Sequence, residues 1–125
     1  MLTLVVEADE ELGQLWCDHL ERQGGKPVLV TSEKAAIRAL QFGPFDVLIL
    51  DLMMPDASAL AICDLATYRR PDIAIIVVTS SSFFSDGSIF ELIPNARGFL
   101  HAPVLPDDLA ALVEHYGRGK SPKSA

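Results

Sequence analysis

The stretch Phe45-Asp-Val-Leu-Ile-Leu-Asp51-Leu-Met-Met-Pro55 decides the fold. It contains an unbroken apolar run, Val47–Leu50, that ends at an aspartate and is followed by a short loop. A strand with one face in water would alternate apolar and polar residues, so this run predicts a strand buried on both faces. Such strands are typical of parallel sheets that helices cover on each side. The stretch therefore predicts an α/β fold with Asp51 at the carboxyl end of a central strand.

The segments on either side repeat this pattern of an apolar run followed by an amphipathic helix. Asp9 and Ser32 are predicted helix caps, and Gly24, Gly43 and Pro71 mark helix ends. Strands are predicted at Leu2–Val6, Val28–Val30, Val47–Leu50, Ile73–Val78 and Gly98–His101. Helices are predicted from Asp9 to Gly24, from Ser32 to about Phe42, from Ser58 to about Arg69 and over Asp107–Tyr116. This (βα)5 order predicts a three-layer sandwich around a five-stranded parallel sheet.

The segment between the fourth and fifth strands, residues 80–95, is unfavourable for a regular helix because it contains Gly87, Pro94 and several serines. We predict a short or irregular fourth helix there. Its apolar residues favour packing into the core, with an interaction surface as the alternative. These residues are Phe83, Phe84, Ile89, Phe90, Leu92 and Ile93.

Composition narrows the class of protein. A chain of 125 residues, half of them apolar, is a single folded domain rather than a disordered one. Its net charge is −7, and three of its ten basic residues lie in the last nine positions, so the body is more acidic still. Nucleic acids and anionic lipids repel acidic surfaces, and no apolar run approaches the roughly 20 residues of a membrane helix. We expect a soluble, cytoplasmic protein that binds neither nucleic acid nor membrane, with a domain over residues 1–117 and a flexible basic tail over 118–125.

Several chemistries lack their motifs. The chain has no GxGxxG, no GxxxxGK[ST] and no GxSxG, which argues against dinucleotide-binding, P-loop and hydrolase sites. Cys17 and Cys63 show no metal-ligand spacing and are expected to be buried as small apolar side chains. We therefore expect that the protein is not an enzyme.

Acidic residues gather where the predicted strands end. Glu7 and Asp9 follow the first strand, Asp51 ends the third, and Asp56 lies in the loop after it. The carboxyl ends of parallel strands share the edge at which open α/β sheets form their sites. Carboxylates brought together repel each other, and a bound Mg²⁺ commonly offsets that repulsion. The spacing is consistent with a Mg²⁺ site or with a solvated acidic rim.

The same strand ends resemble those of the receiver domain of two-component response regulators. The resemblance covers residues 2 to about 116, in the family's order and spacing. It rests on Val-Val-Glu7-Ala-Asp9, the Asp51 stretch quoted above, Ile75-Ile-Val-Val-Thr79-Ser80 and Gly98-Phe-Leu-His-Ala-Pro103. It implies a flavodoxin-like fold with strand order 2-1-3-4-5 and a role in bacterial phosphorelay signalling.

The resemblance also implies roles for particular residues. Asp51 would be the phosphoacceptor, taking a phosphoryl group from a sensor histidine kinase or a phosphotransfer protein. Thr79 would hydrogen-bond that group. Phe99 would couple its arrival to the face formed by the fourth helix, fifth strand and fifth helix, where a homodimer could also form. Mg²⁺ would bind Glu7, Asp51 and the backbone carbonyl of Met53.

Two positions depart from the family's pattern. Ala8 stands where the family has a second acidic residue that binds the metal, and Ala102 stands where it has a lysine. Asp9 is a candidate replacement ligand. We expect weak Mg²⁺ binding and slow phosphorylation of Asp51. One function consistent with this is a stand-alone response regulator that signals without an output domain. The alternative is a degenerate receiver that acts as a phosphorylation-independent interaction or dimerisation module.

Overall fold

Five parallel strands form one sheet in the order β2-β1-β3-β4-β5. The computed structural model describes residues 2–54, 58–79, 93 and 96–118. The strands are β1 (Leu2–Val6), β2 (Lys26–Val30), β3 (Val47–Asp51), β4 (Ala74–Thr79) and β5 (Ala96–His101). The helices are α1 (Glu10–Arg22), α2 (Glu33–Phe42), α3 (Ala59–Arg69) and a C-terminal helix (Pro106–Arg118). The predicted α/β fold and the strand order 2-1-3-4-5 are confirmed.

Alternate residues of the central strands pack into two separate cores. Leu48 and Leu50 point towards α2 and α3, whereas Val47 and Ile49 point towards α1 and the C-terminal helix. All four side chains are fully buried. The two-sided burial predicted from the apolar run at β3 is therefore confirmed, and it leaves the polar groups of this strand at its carboxyl end.

The strand boundaries differ from the prediction by one residue in the central strands β3 and β4 and by two residues in the strands at the edges of the sheet. Strand β2 begins at Lys26, two residues earlier than predicted, and so includes Pro27. A proline lacks the N–H that a central strand needs, but an edge strand has one side without a neighbour and tolerates it. Strand β5, at the other edge, begins at Ala96 rather than Gly98.

The starts of α1 and α2 agree with the predicted caps, Asp9 and Ser32, and Ser58 caps α3, for which no cap was predicted. Asp9, Ser32 and Ser58 each accept a hydrogen bond from the backbone N–H three residues on, at 3.1, 3.1 and 3.2 Å. These bonds satisfy donors that the first helical turn leaves without a partner. The caps place the beginnings of α1, α2 and α3 beside the carboxyl ends of the strands, where the candidate site lies.

Both cysteines are buried, as predicted. Burial, assisted by nearby acidic side chains, raises the pKa of Cys17 to about 11 and that of Cys63 to about 12. Both thiols therefore stay protonated at neutral pH and behave as small apolar groups.

Some predictions fall on residues outside the described ranges. Of the predicted irregular fourth helix only Ile93 is described, and it is buried in the core beside α2 and α3. The C-terminal helix continues to Arg118, and the remainder of the predicted basic tail, residues 119–125, is likewise not described. No helix in the described ranges is long and apolar enough to cross a membrane.

The packing of α3 yields a stability prediction. Ile62 is fully buried against the sheet, so Ile62→Ala should leave a cavity and lower the free energy of unfolding by about 2–5 kcal/mol. Leu60→Ala, on the same helix at a side chain that is 45% exposed, should change it by about 0.5 kcal/mol or less. Urea denaturation of both variants measures the difference, and equal losses would contradict this assignment of the buried face.

Candidate functional site

Three strands bring their carboxyl ends together at one edge of the sheet. Glu7 directly follows β1, Asp51 ends β3 and Thr79 ends β4. The backbone N–H of Leu52 donates to the carbonyl of Val78 at 2.8 Å, which holds the chain after β3 against β4. The three side chains predicted to act together therefore lie at the same edge, as parallel strand pairing requires.

Glu7 is a buried carboxyl group beside a second carboxyl group. Its side chain is only 4% exposed, and its Oε2 accepts a hydrogen bond from the backbone N–H of Asp9 at 2.9 Å. The pKa of Glu7 is raised to about 7, mainly by burial and in addition by the charge of Asp51 and a hydrogen bond to it, whereas the hydrogen bond from the Asp9 N–H opposes the rise. Glu7 is thus about half protonated at neutral pH, chiefly because its burial disfavours the charged form and secondarily because of the nearby charge of Asp51.

Asp51 organises the chain that follows it. Its Oδ1 accepts a hydrogen bond from the backbone N–H of Met53 at 2.9 Å, and its side chain is half-buried. Met53 is thereby held beside the aspartate with its own side chain 49% exposed. The next residue, Met54, is buried in the core beside α2 and α3. Pro55 and Asp56 lie outside the described residues.

Asp9 is placed differently from its neighbours. It is the N-cap of α1, and its Oδ1 accepts from the N–H of Leu12. Within the described ranges, no three His, Cys, Asp or Glu side chains lie close enough to hold a metal ion together. The structure thus pairs Glu7 with Asp51 and assigns the Asp9 side chain to the helix.

This donor set nevertheless suits Mg²⁺. The ion prefers oxygen ligands, keeps several waters and is usually bound by only one or two carboxylates. Glu7 and Asp51 supply two carboxyl groups, and the backbone carbonyl of Met53 is a third candidate oxygen. The charge of Asp51 contributes, after burial, to the raised pKa of Glu7, and a divalent cation would relieve that repulsion.

The two departures from the family's pattern lie close to these residues. Ala8 is half-buried and packs against the core beside α2 and α3. The N–H of Ala102 donates to the carbonyl of Thr79 at 2.9 Å, and Ala102 precedes Pro103 through a cis peptide bond. The preceding His101 is exposed, with its Nδ1 3.0 Å from the Ala102 oxygen. Neither alanine can supply a ligand or a charge from its side chain.

Phe99 lies away from the carboxyl groups, on β5. Its side chain is half-buried and contacts the core beside α2 and α3. It also lines a groove of about 500 Å³ between β5 and the C-terminal helix, together with Leu112 and Tyr116. Phe99 is thus in contact with both the interior and a surface groove.

Sequence reasoning missed one residue at this edge. The carboxylate of Glu33, in the first turn of α2, accepts a hydrogen bond from the backbone N–H of Ser58 at 2.9 Å. The sequence offers one indirect sign of this contact. Helix α3 has no acidic residue in its own first turn, so an acidic residue from another segment can take that place.

The pKa of Glu7 predicts how stability depends on pH without divalent cations. The folded state holds this proton up to about pH 7, whereas an exposed glutamate has a pKa of 4.5. The folded state therefore binds more protons between these values, and the free energy of unfolding falls as the pH rises through this window. Glu7→Gln should remove that loss. The free energy of unfolding of this variant, minus that of the wild type, should therefore rise by about 3 kcal/mol as the pH increases from the lower to the upper end of this window.

Urea denaturation in the presence of a chelator, on both sides of this window, measures the effect. The matched control is Glu10→Gln, whose side chain is exposed in the first turn of α1. The same pH dependence in both variants would show that the burial of Glu7 is not its cause.

Solved structures share this fold. The receiver domain protein (CheY-like) of Methanospirillum hungatei JF-1 superposes with a TM-score of 0.87 at 20% identity, covering 98% of this chain and 97% of that one. The response regulator protein TrrA of Thermotoga maritima, in complex with Mg²⁺-BeF, gives a TM-score of 0.78 at 22% identity, covering 92% and 97%.

Curated relatives are longer proteins. The transcriptional regulatory protein BaeR of Escherichia coli O6:H1 is 30% identical over 111 residues, which are 89% of this chain and 45% of BaeR. The response regulator SaeR of Staphylococcus aureus is 26% identical over 112 residues, 90% of this chain and 48% of SaeR. The chain thus spans about half the length of these relatives.

A family model, the response regulator receiver domain, matches residues 3–114. The match includes every strand end that forms the candidate site, and the strand order and structural neighbours agree with it. The chain belongs to the receiver domain family of two-component response regulators.

Proposed function

We propose that Asp51 accepts a phosphoryl group from the phosphohistidine of a sensor histidine kinase or a phosphotransfer protein. The observation that carries this proposal is the pair of carboxyl groups, Glu7 and Asp51, at the carboxyl edge of the sheet. A buried carboxyl group with a raised pKa beside a second carboxyl group is typical of functional sites. The buried carboxyl group of Glu7 lowers the stability of the fold, which is explained if this edge binds a cation and a phosphoryl group.

The chemistry needs few protein groups. A carboxylate oxygen of Asp51 attacks phosphorus, an acyl phosphate bond forms, and the phosphorus–nitrogen bond to the donor histidine breaks. The electron pair of that bond returns to the histidine nitrogen, so the charges balance without an added reactant. Glu7, Asp51 and the carbonyl of Met53 would hold Mg²⁺, and Glu7 would lose its proton to do so. When bound, the ion supplies positive charge that offsets the repulsion between the carboxylate and the phosphoryl oxygens.

Thr79 and Phe99 would transmit the change. The hydroxyl of Thr79 would hydrogen-bond the phosphoryl group and draw the end of β4 towards Asp51. The carbonyl of Thr79 already accepts the N–H of Ala102, so this movement would also pull the chain after β5. Phe99, half-buried on β5 and lining the surface groove, would carry the change to a partner surface.

The alanines at positions 8 and 102 set the expected strength of this switch. Loss of one hydrogen bond to a charged group costs about 1.5–3 kcal/mol, and we take the loss of a metal ligand to cost about the same amount. Together these correspond to a reduction of about 10²–10⁴-fold in rate or switch population. We therefore propose slow phosphorylation and weak Mg²⁺ binding.

The alternative function has no separate support among the described residues. A phosphorylation-independent interaction or dimerisation module would use the apolar segment 83–93, of which only Ile93 is described, and Ile93 is buried. Dimer formation through the face around β5 and the absence of nucleic-acid binding stay predictions.

Phosphorylation of Asp51 can be tested directly. Incubation with acetyl phosphate and Mg²⁺ should add one phosphoryl group slowly, seen as a mass gain in intact-protein mass spectrometry, and Asp51→Asn should abolish it. Omission of Mg²⁺ should also abolish it, because the phosphoryl oxygens would then meet the crowded carboxylates without a cation. The same gain in Asp51→Asn would exclude Asp51 as the acceptor, and no gain in the wild type would support the alternative module.

A restoration experiment tests whether the two alanines limit the reaction. Ala8→Asp combined with Ala102→Lys adds a candidate ligand and a cation at the positions where the family has them. The double variant should bind Mg²⁺ more tightly and be phosphorylated on the order of 10²-fold faster, consistent with regaining about 3 kcal/mol. Calorimetric titration with Mg²⁺ and the mass-gain assay measure both quantities. An unchanged rate in a folded double variant would show that another feature of the site limits it.

A further inference from the structure

Helix α3 receives part of its N-terminal cap from another helix. The backbone N–H of its N-cap residue, Ser58, donates to the Oε1 of Glu33 at 2.9 Å, although the two residues lie 25 positions apart. The Ser58 hydroxyl caps the helix in the usual way, by accepting from the N–H of Ala61. The Glu33 contact is therefore additional to the ordinary cap and links α2 to α3.

The local sequence explains why this contact is available. In a capping box, a Glu or Gln at the third helical position reaches back to the N–H of the N-cap residue. In α3 that position is Ala61, which has no acceptor, and the first turn contains no acidic residue. Helices α1 and α2 and the C-terminal helix all have acidic residues in their first turns. Glu33 supplies α3 with both the missing acceptor and the negative charge that favours a helix N-terminus.

This contact lies at the far end of the segment that carries the proposed ligands. At the near end, Asp51 accepts the N–H of Met53, and Met54 is buried in the core. Ser58 follows Met54 by only four residues, which span at most about 14 Å. Fixing Ser58 against α2 therefore limits how far Met53 and Met54 can move away from α2.

We propose that Glu33 is a positioning residue, which holds the chain after Asp51 by anchoring Ser58 to α2. It touches neither the phosphoryl group nor the metal ion and acts through the placement of Met53. The part of this inference that concerns Mg²⁺ rests on the proposed function of Asp51. The part that concerns the anchoring itself is independent of ligands.

Two substitutions at Glu33 separate its hydrogen bond from its charge. Glu33→Gln keeps an oxygen acceptor, whereas Glu33→Ala removes it, and both lose the negative charge. Glu33→Ala should speed amide hydrogen exchange at Met53 and Ser58 and weaken Mg²⁺ binding about threefold to tenfold, the range expected for the loss of one ordinary hydrogen bond. Glu33→Gln should stay within about twofold of the wild type in Mg²⁺ affinity, because the bond is retained.

A rescue variant separates positioning from helix capping. Ala61 is exposed, so Ala61→Glu can complete the capping box within α3. In the Glu33→Ala background it restores the total charge and should restore the free energy of unfolding. It does not restore the link to α2, so Mg²⁺ affinity and slow exchange at the Met53 amide should stay impaired.

The outcomes are distinguishable. Full recovery of Mg²⁺ affinity and Met53 protection in the Glu33→Ala, Ala61→Glu variant would show that Glu33 only caps α3 and would overturn the proposal. Unchanged Met53 exchange in Glu33→Ala would also overturn it. If the wild type binds no Mg²⁺, the proposed function fails, and the exchange measurements decide the role of Glu33 without reference to the metal.

Discussion

The burial of the central strands on both faces is the constraint on which the rest of this structure depends. Strands β3 and β4 have helices on each side, so nearly every side chain along them is fully buried. Charged groups cannot be accommodated there without large cost, and they are confined to the strand ends. Parallel pairing then collects the carboxyl ends at one edge. The candidate site is thus a consequence of how the core is built.

That edge combines burial with negative charge, and Glu7 shows the result most clearly. The backbone of Glu7 continues the strand pairing, since its N–H donates to the Val30 carbonyl at 3.1 Å. Its carboxyl group is consequently held beside Asp51 with little contact with water. A protein with only structural requirements would gain stability from a neutral side chain here. The presence of an acid here is consistent with a site whose ligand is a cation. Compared with the family's pattern, Ala8 removes one metal ligand from that site and Ala102 removes one positive charge.

Hydrogen bonds between α2 and α3 supply a helix-capping group that α3 lacks in its own sequence. Helix α3 has no acidic residue in its first turn, and Glu33 of α2 meets its N-cap instead. At the opposite end of the same pair of helices, Arg69 of α3 donates to the carbonyl of Gln41 at 2.7 Å. Helices α2 and α3 are therefore linked near both ends as well as through the core.

The sequence by itself determined the class of fold, the order of its elements, the helix caps and the position of Asp51 at a strand end. These follow from local patterns, because apolar runs, capping residues and breaks at glycine and proline act within a few residues of each other. The resemblance to the receiver family added the strand order and the roles expected of Thr79 and Phe99.

Only the tertiary structure decided that the buried Glu7 carboxyl group lies beside Asp51 and that Glu33 reaches Ser58. Each of these depends on distances between segments that are far apart in the chain or on the direction of one side chain. No local periodicity encodes such contacts, because they arise when the strands pair and the helices pack.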